Sequence, residues 1–344
     1  MRKRASVMFL VLGVTAVAAA GCGKSDESSD GSGKSDGKGG GPKVGLVTDI
    51  GGLNDRSFNA LANKGFTAAK EDGASGTILE SKAAGDYEPN LGKLAQDGAD
   101  IVFGIGFLMG DSVKATAAKS PDTNFAIIDF SYDPDTPKNV QGIVFKEQEA
   151  GYLAGVLAGK AESEGTMEGL NEAKVVSAIG GQKIPPVDKF IAGFKAGVEA
   201  ECADCKVLVD YSQDFVDQSK CQDLANKQIA RGSDIVFQVA GGCGLGALNA
   251  AKTRKVWGIG VDADQGYLGG HILTSAMKRV DTAVEETIKS VGDDEFEGGS
   301  TRVFGLKEEG VGLGEIAEPA QQYEDVVDAA REKILDGFTV PETV

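Results

Sequence analysis

The chain contains one short motif twice: residues 98–103 read GADIVF, and residues 232–237, 134 positions later, read GSDIVF. Each copy lies within an alternation of short apolar runs and helical patterns, which is typical of α/β proteins with a mainly parallel sheet. Asp129 and Asp262, 133 positions apart, follow the two copies at similar distances. Chance similarity is the alternative, since glycine-acid-apolar runs are common in α/β proteins. We favour duplication and predict two lobes of like topology.

The alternation extends over most of the chain after residue 42. It predicts strands at 43–48, 101–105, 125–129, 175–179, 206–209, 235–239 and 256–261. It predicts helices at 55–72, 110–120, 187–200, 217–231 and 245–252. Asp49, Asp129 and Asp262 lie at the carboxyl ends of predicted strands, where open parallel sheets bind ligands, and small-molecule sites favour domain interfaces. The candidate site is therefore the cleft between the lobes.

The composition is that of a globular protein: 344 residues, 41% hydrophobic, 25% charged and 6% aromatic. This length is enough for two domains with full cores. The formal net charge of −17 argues against nucleic acid as a partner. His271 is the single histidine, so serine-histidine, cysteine-histidine and multi-histidine zinc sites would each depend on it. We expect His271 to begin a strand without chemistry, and we expect no metal and no cofactor.

The N-terminus reads as a bacterial lipoprotein signal. Residues 1–21 combine a basic start with an apolar stretch that ends in small residues, and Cys22 follows. A transmembrane helix is the alternative, but the run is short for a membrane span. We expect lipid on Cys22 to hold the protein at the outer face of the cell membrane. Residues 22–42, rich in glycine and serine, are predicted to form a flexible linker.

Four further cysteines, an even number, suggest disulfides in an exported protein. Cys202, Cys205, Cys221 and Cys243 allow three connectivities. We favour Cys202–Cys205, which share one short loop, and Cys221–Cys243, which would join a helix start to a glycine loop of the same lobe.

Two phenylalanines are candidates for the cleft. Phe58 begins an apolar helical stripe that continues to Phe66, a pattern that by itself favours a core position. Phe215 differs, because Asp217 is a predicted N-cap and Val216 would supply the hydrophobic staple, which leaves Phe215 without a local role. Two rings that entered from opposite lobes would suit a flat heterocycle.

Several motifs resemble the basic membrane protein family, whose members include purine nucleoside receptors of ABC importers. The motifs are VTD at 47–49 with DRSFN at 55–59, FKEQEAGYLAG at 145–155, AGG at 240–242 with Gly244, IGVDADQ at 259–265 and TSAMK at 274–278. The resemblance runs from about residue 43 to residue 281, and more loosely to the end.

The resemblance implies an α/β, two-lobed fold of the type I periplasmic-binding-protein class, in which the lobes close on a ligand. The implied first lobe comprises residues 43–146 and about 264–302. The implied second lobe comprises residues 147–263 and about 303–344. The implied function is capture of a nucleoside, with purine nucleosides as the expected class, and its delivery to ABC permease subunits by a monomeric, non-enzymatic receptor.

By the same resemblance, Phe58 and Phe215 hold the base between them, and Asp49, Asn54 and Asp129 bond its polar edge. This sequence departs from the family pattern at Asn54, where an acid is expected. Since asparagine both donates and accepts hydrogen bonds, the base preference stays open.

The resemblance also implies a ribose site. Asp262, Lys278 and the backbone of Gly241 and Gly242 would hold the sugar, because a carboxylate can accept from both hydroxyls of a cis-diol. Phe107 is a further candidate wall residue, with a core position as the alternative.

Three other functions stay open at this point. The first is a receptor for a sugar or another small polar ligand on the same fold. The second is a nucleoside hydrolase in which Asp49, Asp129 and Asp262 activate water directly or through a cation. The third is a signalling or adhesion lipoprotein without a transport role.

Overall fold

A computed structural model describes residues 40–344. The predicted signal peptide at 1–21, the lipid anchor at Cys22 and nearly all of the predicted linker therefore lie outside the described residues. Within residues 40–344, none of the helices combines the length and the apolar character needed to cross a membrane.

The described chain alternates strands and helices. Its strands are β1 Lys43–Thr48, β2 Ser75–Glu80, β3 Ile101–Ile105, β4 Asn124–Ile128, β5 Val140–Phe145, β6 Val175–Gly180, β7 Lys206–Tyr211, β8 Ser233–Val239, β9 Trp257–Asp262, β10 Ile272–Lys278, β11 Ser300–Phe304 and β12 Val311–Leu313. Its helices are α1 Phe58–Glu71, α2 Tyr87–Gln96, α3 Gly110–Lys119, α4 Glu147–Glu164, α5 Pro185–Glu201, α6 Gln218–Ile229, α7 Gly241–Arg254, α8 Val280–Gly292 and α9 Glu324–Leu335.

The strands form two sheets of matching topology. The first has the order β11-β5-β4-β3-β1-β2, and the second has the order β12-β10-β9-β8-β6-β7. All neighbours are parallel except β10 and β12. The two copies of the sequence motif lie on β3 and β8, which occupy equivalent positions. The prediction of an α/β protein with two lobes of like topology is confirmed.

The inner strands are buried on both faces, as parallel strands covered by helices should be. Every residue of β3, β8 and β9 is buried. This explains why the motif residues of β3 and β8, IVF at 101–103 and again at 235–237, form continuous apolar runs rather than alternating patterns.

The chain passes between the sheets three times, after β5, after β10 and after β11. The three connections lie side by side: the amide of Lys146 donates to the carbonyl of Phe304 at 2.9 Å, and the amide of Arg279 donates to the carbonyl of Gly310 at 2.8 Å. The predicted return to the first lobe at about 264 is wrong, because β10 pairs with β9 and β12 of the second sheet. The return follows β10 instead.

Two disulfides are present, Cys202–Cys205 and Cys221–Cys243. This is the favoured pairing among the three connectivities. The second bond joins the first turns of α6 and α7, the two helices that cover one face of the second sheet.

Helices α4 and α5 pack with their backbones in close contact, and glycines make this approach possible. A Cβ atom at Gly155 would lie 2.1 Å from the carbonyl oxygen of Phe194, and one at Gly197 would lie 2.2 Å from that of Tyr152. Such distances cannot be accommodated without moving a helix. The packing of α4 on α5 therefore depends on small residues at these positions.

We expect Gly155→Ala to lower the free energy of unfolding by about 1–3 kcal/mol, because overpacking a close contact forces the helices apart. Gly92→Ala in α2 is the matched control, since no atom lies within 4 Å of its Cβ position. The control should be neutral or stabilising, because alanine has the higher helix propensity. Urea unfolding measures both variants, and equal stability of the two would contradict the packing argument.

Candidate functional site

The cleft between the two sheets is built from the carboxyl ends of strands in both lobes. Its volume is about 80 Å³. Its lining residues are Asp49, Ile50, Gly51, Asp55, Phe58, Asn59, Gly106, Phe107, Asp129, Ile184, Pro186, Val187, Phe190, Phe215, Val239, Gly241, Gly242, Val261, Asp262 and Lys278. Nine of the ten sequence-predicted ligand residues are among them, and Asn54 is not.

Asp49, directly after β1, is held by its surroundings in one orientation. Its Oδ1 accepts hydrogen bonds from the hydroxyl of Tyr87 and, at 2.7 Å, from the amide of Ile50. Burial raises the pKa of Asp49 to about 6, although these hydrogen bonds oppose the shift. A Cβ at Gly106 would lie 2.6 Å from Oδ2, so glycine at this position leaves room for the carboxylate.

The loop before α1 separates Asp55 from Asn54. The Asp55 carboxylate accepts from the amides of Ser57, Asn59 and Ala60 at 2.8–3.0 Å and thereby caps the helix. Asn54 is exposed and lines a neighbouring groove instead. Asn54 therefore does not line the cleft, where the resemblance placed it.

Asp129 and Asp262 occupy equivalent places, after β4 and at the end of β9. Both have a left-handed backbone, with φ of 71° and 61°. This conformation is uncommon outside glycine, and such strain is concentrated at functional sites. Two aspartates from equivalent strands therefore enter the cleft from opposite lobes by the same backbone geometry.

Asp262 links the lobes across the cleft. Its Oδ2 accepts a hydrogen bond of 2.6 Å from the hydroxyl of Ser57, which precedes α1 in the other lobe. Burial raises the pKa of Asp262 to about 6, opposed by the charge of Lys278. Among residues 40–344, its Oδ1 makes no hydrogen bond and is free to accept from a ligand.

Lys278, the last residue of β10, is the positive charge of the cleft wall. Its side chain is 2% exposed, and its Nζ lies 2.6 Å from Asp129 Oδ1 and 3.0 Å from Glu147 Oε1. The ammonium also lies 5.0 Å from the ring centre of Phe58 and 5.1 Å from that of Phe145. Burial alone would lower the pKa of Lys278, but the adjacent carboxylates raise it above the ordinary value.

Glu147, at the start of α4, was not among the sequence-predicted site residues. It is 2% exposed, and burial raises its pKa to about 7 against the opposing charge of Lys278. Its Oε2 has no hydrogen-bond partner in the described part of the chain, and Lys189 Nζ is 4.0 Å away. Glu147 thus links the start of α4, which follows the first connection between the sheets, to the charged cluster around Lys278.

Aromatic residues from both lobes line the cleft. Phe58 enters from the first lobe and Phe215 from the second. A Cβ at Gly181 would lie 2.2 Å from the Phe215 ring, so the ring lies directly against the backbone after β6. Val216 is 51% exposed, so the predicted staple does not form. Phe107 lines the cleft and also packs on Phe130, with ring centres 5.2 Å apart.

An apolar wall at the start of α5 was missed by the sequence analysis. Its residues are Ile184, Pro186, Val187 and Phe190. The signal was present: proline at the first positions of a helix, directly after a strand of a parallel sheet, marks a loop at the ligand-binding edge.

The cleft can accept hydrogen bonds and enclose an apolar surface. Within the described residues, the only three potential metal-ligating side chains close enough to share an ion are Cys202, Asp204 and Cys205. These lie outside the cleft, and the two sulfurs are joined in a disulfide.

The raised pKa of Asp49 predicts a specific dependence of stability on pH. Because the folded state holds this proton more tightly, the stabilisation is complete below the unfolded pKa and is lost as pH rises through about 6. Asp49→Asn keeps an acceptor and removes the titration. Relative to wild type, the variant should gain about 1–3 kcal/mol of unfolding free energy between pH 4.5 and 7.5.

Tyr87→Phe provides the opposite test, because it removes a hydrogen bond that lowers the pKa of Asp49. Its stability relative to wild type should fall over the same interval. Unfolding in urea at both pH values measures the two variants. A pH-independent difference in both would contradict the assignment of a buried, titrating Asp49.

Comparison with known proteins agrees with this geometry. Residues 43–343 match the Bmp family model, described as ABC transporter substrate-binding protein PnrA-like. The chain is 35% identical to the ABC transporter nucleoside-binding protein BmpA of Lactococcus lactis, with 99% of each chain covered. It is 32% identical to basic membrane protein A of Borreliella burgdorferi, with 86% of each covered.

The solved structures show the same architecture. A solute-binding protein of an ABC transporter system from Aeropyrum pernix matches with a TM-score of 0.78 and 26% identity, over 87% of this chain and 94% of that one. A corresponding protein from Conexibacter woesei matches with a TM-score of 0.69 and 26% identity, over 88% and 99%. The two-lobed fold, the cleft and the family match together show that this chain belongs to the Bmp family of PnrA-like ABC transporter substrate-binding proteins.

Proposed function

We propose that this protein captures a purine nucleoside between its lobes and delivers it to the permease of an ABC importer. One observation carries the proposal: Phe58 and Phe215, from opposite lobes, line the same cleft as the strand-end aspartates. A flat base between two rings gains stacking of about 1–3 kcal/mol per base. The similarity to the nucleoside-binding protein BmpA of Lactococcus lactis supports the same ligand class.

The polar groups divide the proposed site into two parts. Asp49 and Asp129 would accept from the N–H donors of the base. Asp262, with its free Oδ1, would accept from the ribose hydroxyls, and the backbone of Gly241 and Gly242 would lie against the sugar. Lys278 would act mainly by compensating Asp129 and Glu147, because its ammonium is already in contact with both.

Entry of the ligand requires the lobes to move. A volume of about 80 Å³ is well below the roughly 300–1,000 Å³ of small-molecule sites. The lobes are held together by the hydrogen bond from Ser57 to Asp262 and by the charged cluster of Lys278. Hinge opening at the three connections would admit the nucleoside, which then favours the lobe arrangement that contacts it most.

We further propose that the protein lies at the outer face of the cell membrane, attached through lipid on Cys22. It acts as a monomer and binds its ligand without chemical conversion. The homologous substrate-binding proteins support a receptor rather than an enzyme. Residues 22–42 would let the folded part reach a permease in the same membrane.

Calorimetry with adenosine, guanosine, inosine and uridine tests the ligand class, using protein freed of carried-over cargo by unfolding and refolding. We expect saturable binding of at least one purine nucleoside and no competition from free ribose. Phe215→Ala should weaken this binding by about 1–3 kcal/mol through lost stacking. Tyr267→Ala, which removes an exposed ring outside the cleft, is the control and should not change the affinity.

The ligand class would be refuted if no nucleoside gave heat with refolded protein that retains its native circular dichroism. Competition by ribose at equal affinity would instead indicate a sugar receptor. Release of free base over hours, followed by chromatography, would indicate a hydrolase.

A further inference from the structure

A second cavity lies beside the cleft and also spans both lobes. This groove has a volume of about 650 Å³. Its lining residues are Leu53, Asn54, Arg56 and Ala60 of the first lobe, and Gln218, Leu245, Leu248, Asn249, Lys252, Leu268 and His271 of the second. We call it the basic groove, because its titratable residues are Arg56, Lys252 and His271.

The charge of the basic groove is opposite to that of the chain. The sequence has 52 acidic and 35 basic residues, yet no aspartate or glutamate lines the groove. Arg56 and Lys252 are exposed, and within residues 40–344 neither forms a salt bridge. His271 is half-buried, and its pKa is lowered by burial and by the charge of Lys252. The groove thus holds cations that are not neutralised within the described part of the chain.

The groove exists as one surface only while the lobes are in contact. Arg56 has a left-handed backbone, with φ of 54°, and its carbonyl accepts a hydrogen bond of 3.3 Å from Gln265 Nε2 of the second lobe. Ser57, the next residue, donates to Asp262. Separation of the lobes would therefore carry Arg56 away from Lys252 and His271. A partner that contacts Arg56, Lys252 and His271 together distinguishes the closed form from the open one.

Exposed apolar residues lie next to the groove in the sequence. Tyr267 is 61% exposed and precedes the lining residue Leu268, and Val216 is 51% exposed and lies two residues before Gln218. Tyrosine and arginine are enriched at protein interfaces, whereas acidic residues are depleted there. The groove thus combines an arginine with an exposed tyrosine beside it, two residue types that are enriched at interfaces, and its volume suits a chain segment better than a single ion.

We propose that the basic groove docks an acidic segment of the membrane partner that receives the ligand. This rests on the proposed function, because it assigns the surface by which the loaded, closed receptor is distinguished from the open one. Complementary charge on Arg56 and Lys252 would speed encounter, and the contact would select the closed form, since only that form brings these two cations and His271 together. A small free anion and a second copy of this chain are the competing occupants.

His271 is the single histidine of the chain, so its titration reports directly on binding in the groove. Proton NMR of the purified chain, without an added histidine tag, follows the titration of His271 with and without a hexaglutamate peptide. We expect the peptide to raise the pKa of His271 and hexaglutamine to leave it unchanged. Arg56→Asn and Lys252→Gln should each weaken peptide binding by about two- to fivefold, the scale of an exposed ion pair. Lys227→Gln, the same charge change on exposed α6, should not.

Uptake of labelled nucleoside by cells tests the function of the groove. The chromosomal copy would carry Arg56→Glu with Lys252→Glu, and the control strain would carry Lys227→Glu. We expect the double variant to reduce uptake by about fivefold or more at equal surface amounts, because like charges repel across the contact. The purified double variant should bind nucleoside with wild-type affinity.

The outcomes separate the two proposals. If the wild-type protein binds no nucleoside, the proposed function fails, whatever the groove does. If nucleoside binds but uptake and the His271 titration are unaffected by the charge changes, the docking surface is refuted. An equal shift of the His271 pKa by inorganic phosphate would favour a small anion. Self-association that the variants abolish, seen by sedimentation, would favour a second copy.

Discussion

The contact of Lys278 with Asp129 and Glu147 is the interaction on which the arrangement of the lobes depends. Lys278 is the last residue of β10 in the second sheet, and Asp129 follows β4 of the first sheet. Glu147 is the first residue of α4, the helix after the first connection between the sheets. A buried charge is tolerated only when its partners are close, and removal of one partner is strongly destabilising. The same cluster forms part of the ligand wall. Closure and the electrostatics of the cleft are therefore properties of one network.

Much of the fold could be predicted, because its main signals are local. Buried parallel strands read as apolar runs, and the repeated motif marks equivalent strands of two sheets. The assignment of β10 could not be predicted in the same way. Its residues read as a buried strand in either lobe, and the choice of sheet depends on pairing with β9 and β12, which no local pattern encodes. For this reason, the predicted return to the first lobe at about residue 264 lies too early in the chain.

The candidate site was predictable where a residue's position follows from strand ends. Asp49, Asp129 and Asp262 enter the cleft because parallel strands present their carboxyl ends at one edge. Phe58 required the family resemblance, since its helical stripe alone favours a core position. Asn54 was misplaced because the neighbouring Asp55 caps α1. The partners of Lys278 lie more than 130 positions away in the chain, so their convergence is a result of tertiary structure alone.

The three connections between the sheets also determine when each lobe can be completed during synthesis of the chain. The edge strand of the first sheet begins at Ser300, and that of the second begins at Val311. Neither lobe is a continuous segment, and each sheet is completed by a strand that lies beyond residue 299. Neither sheet can therefore be completed before these later residues have been synthesised, so neither half is an independent unit of biogenesis.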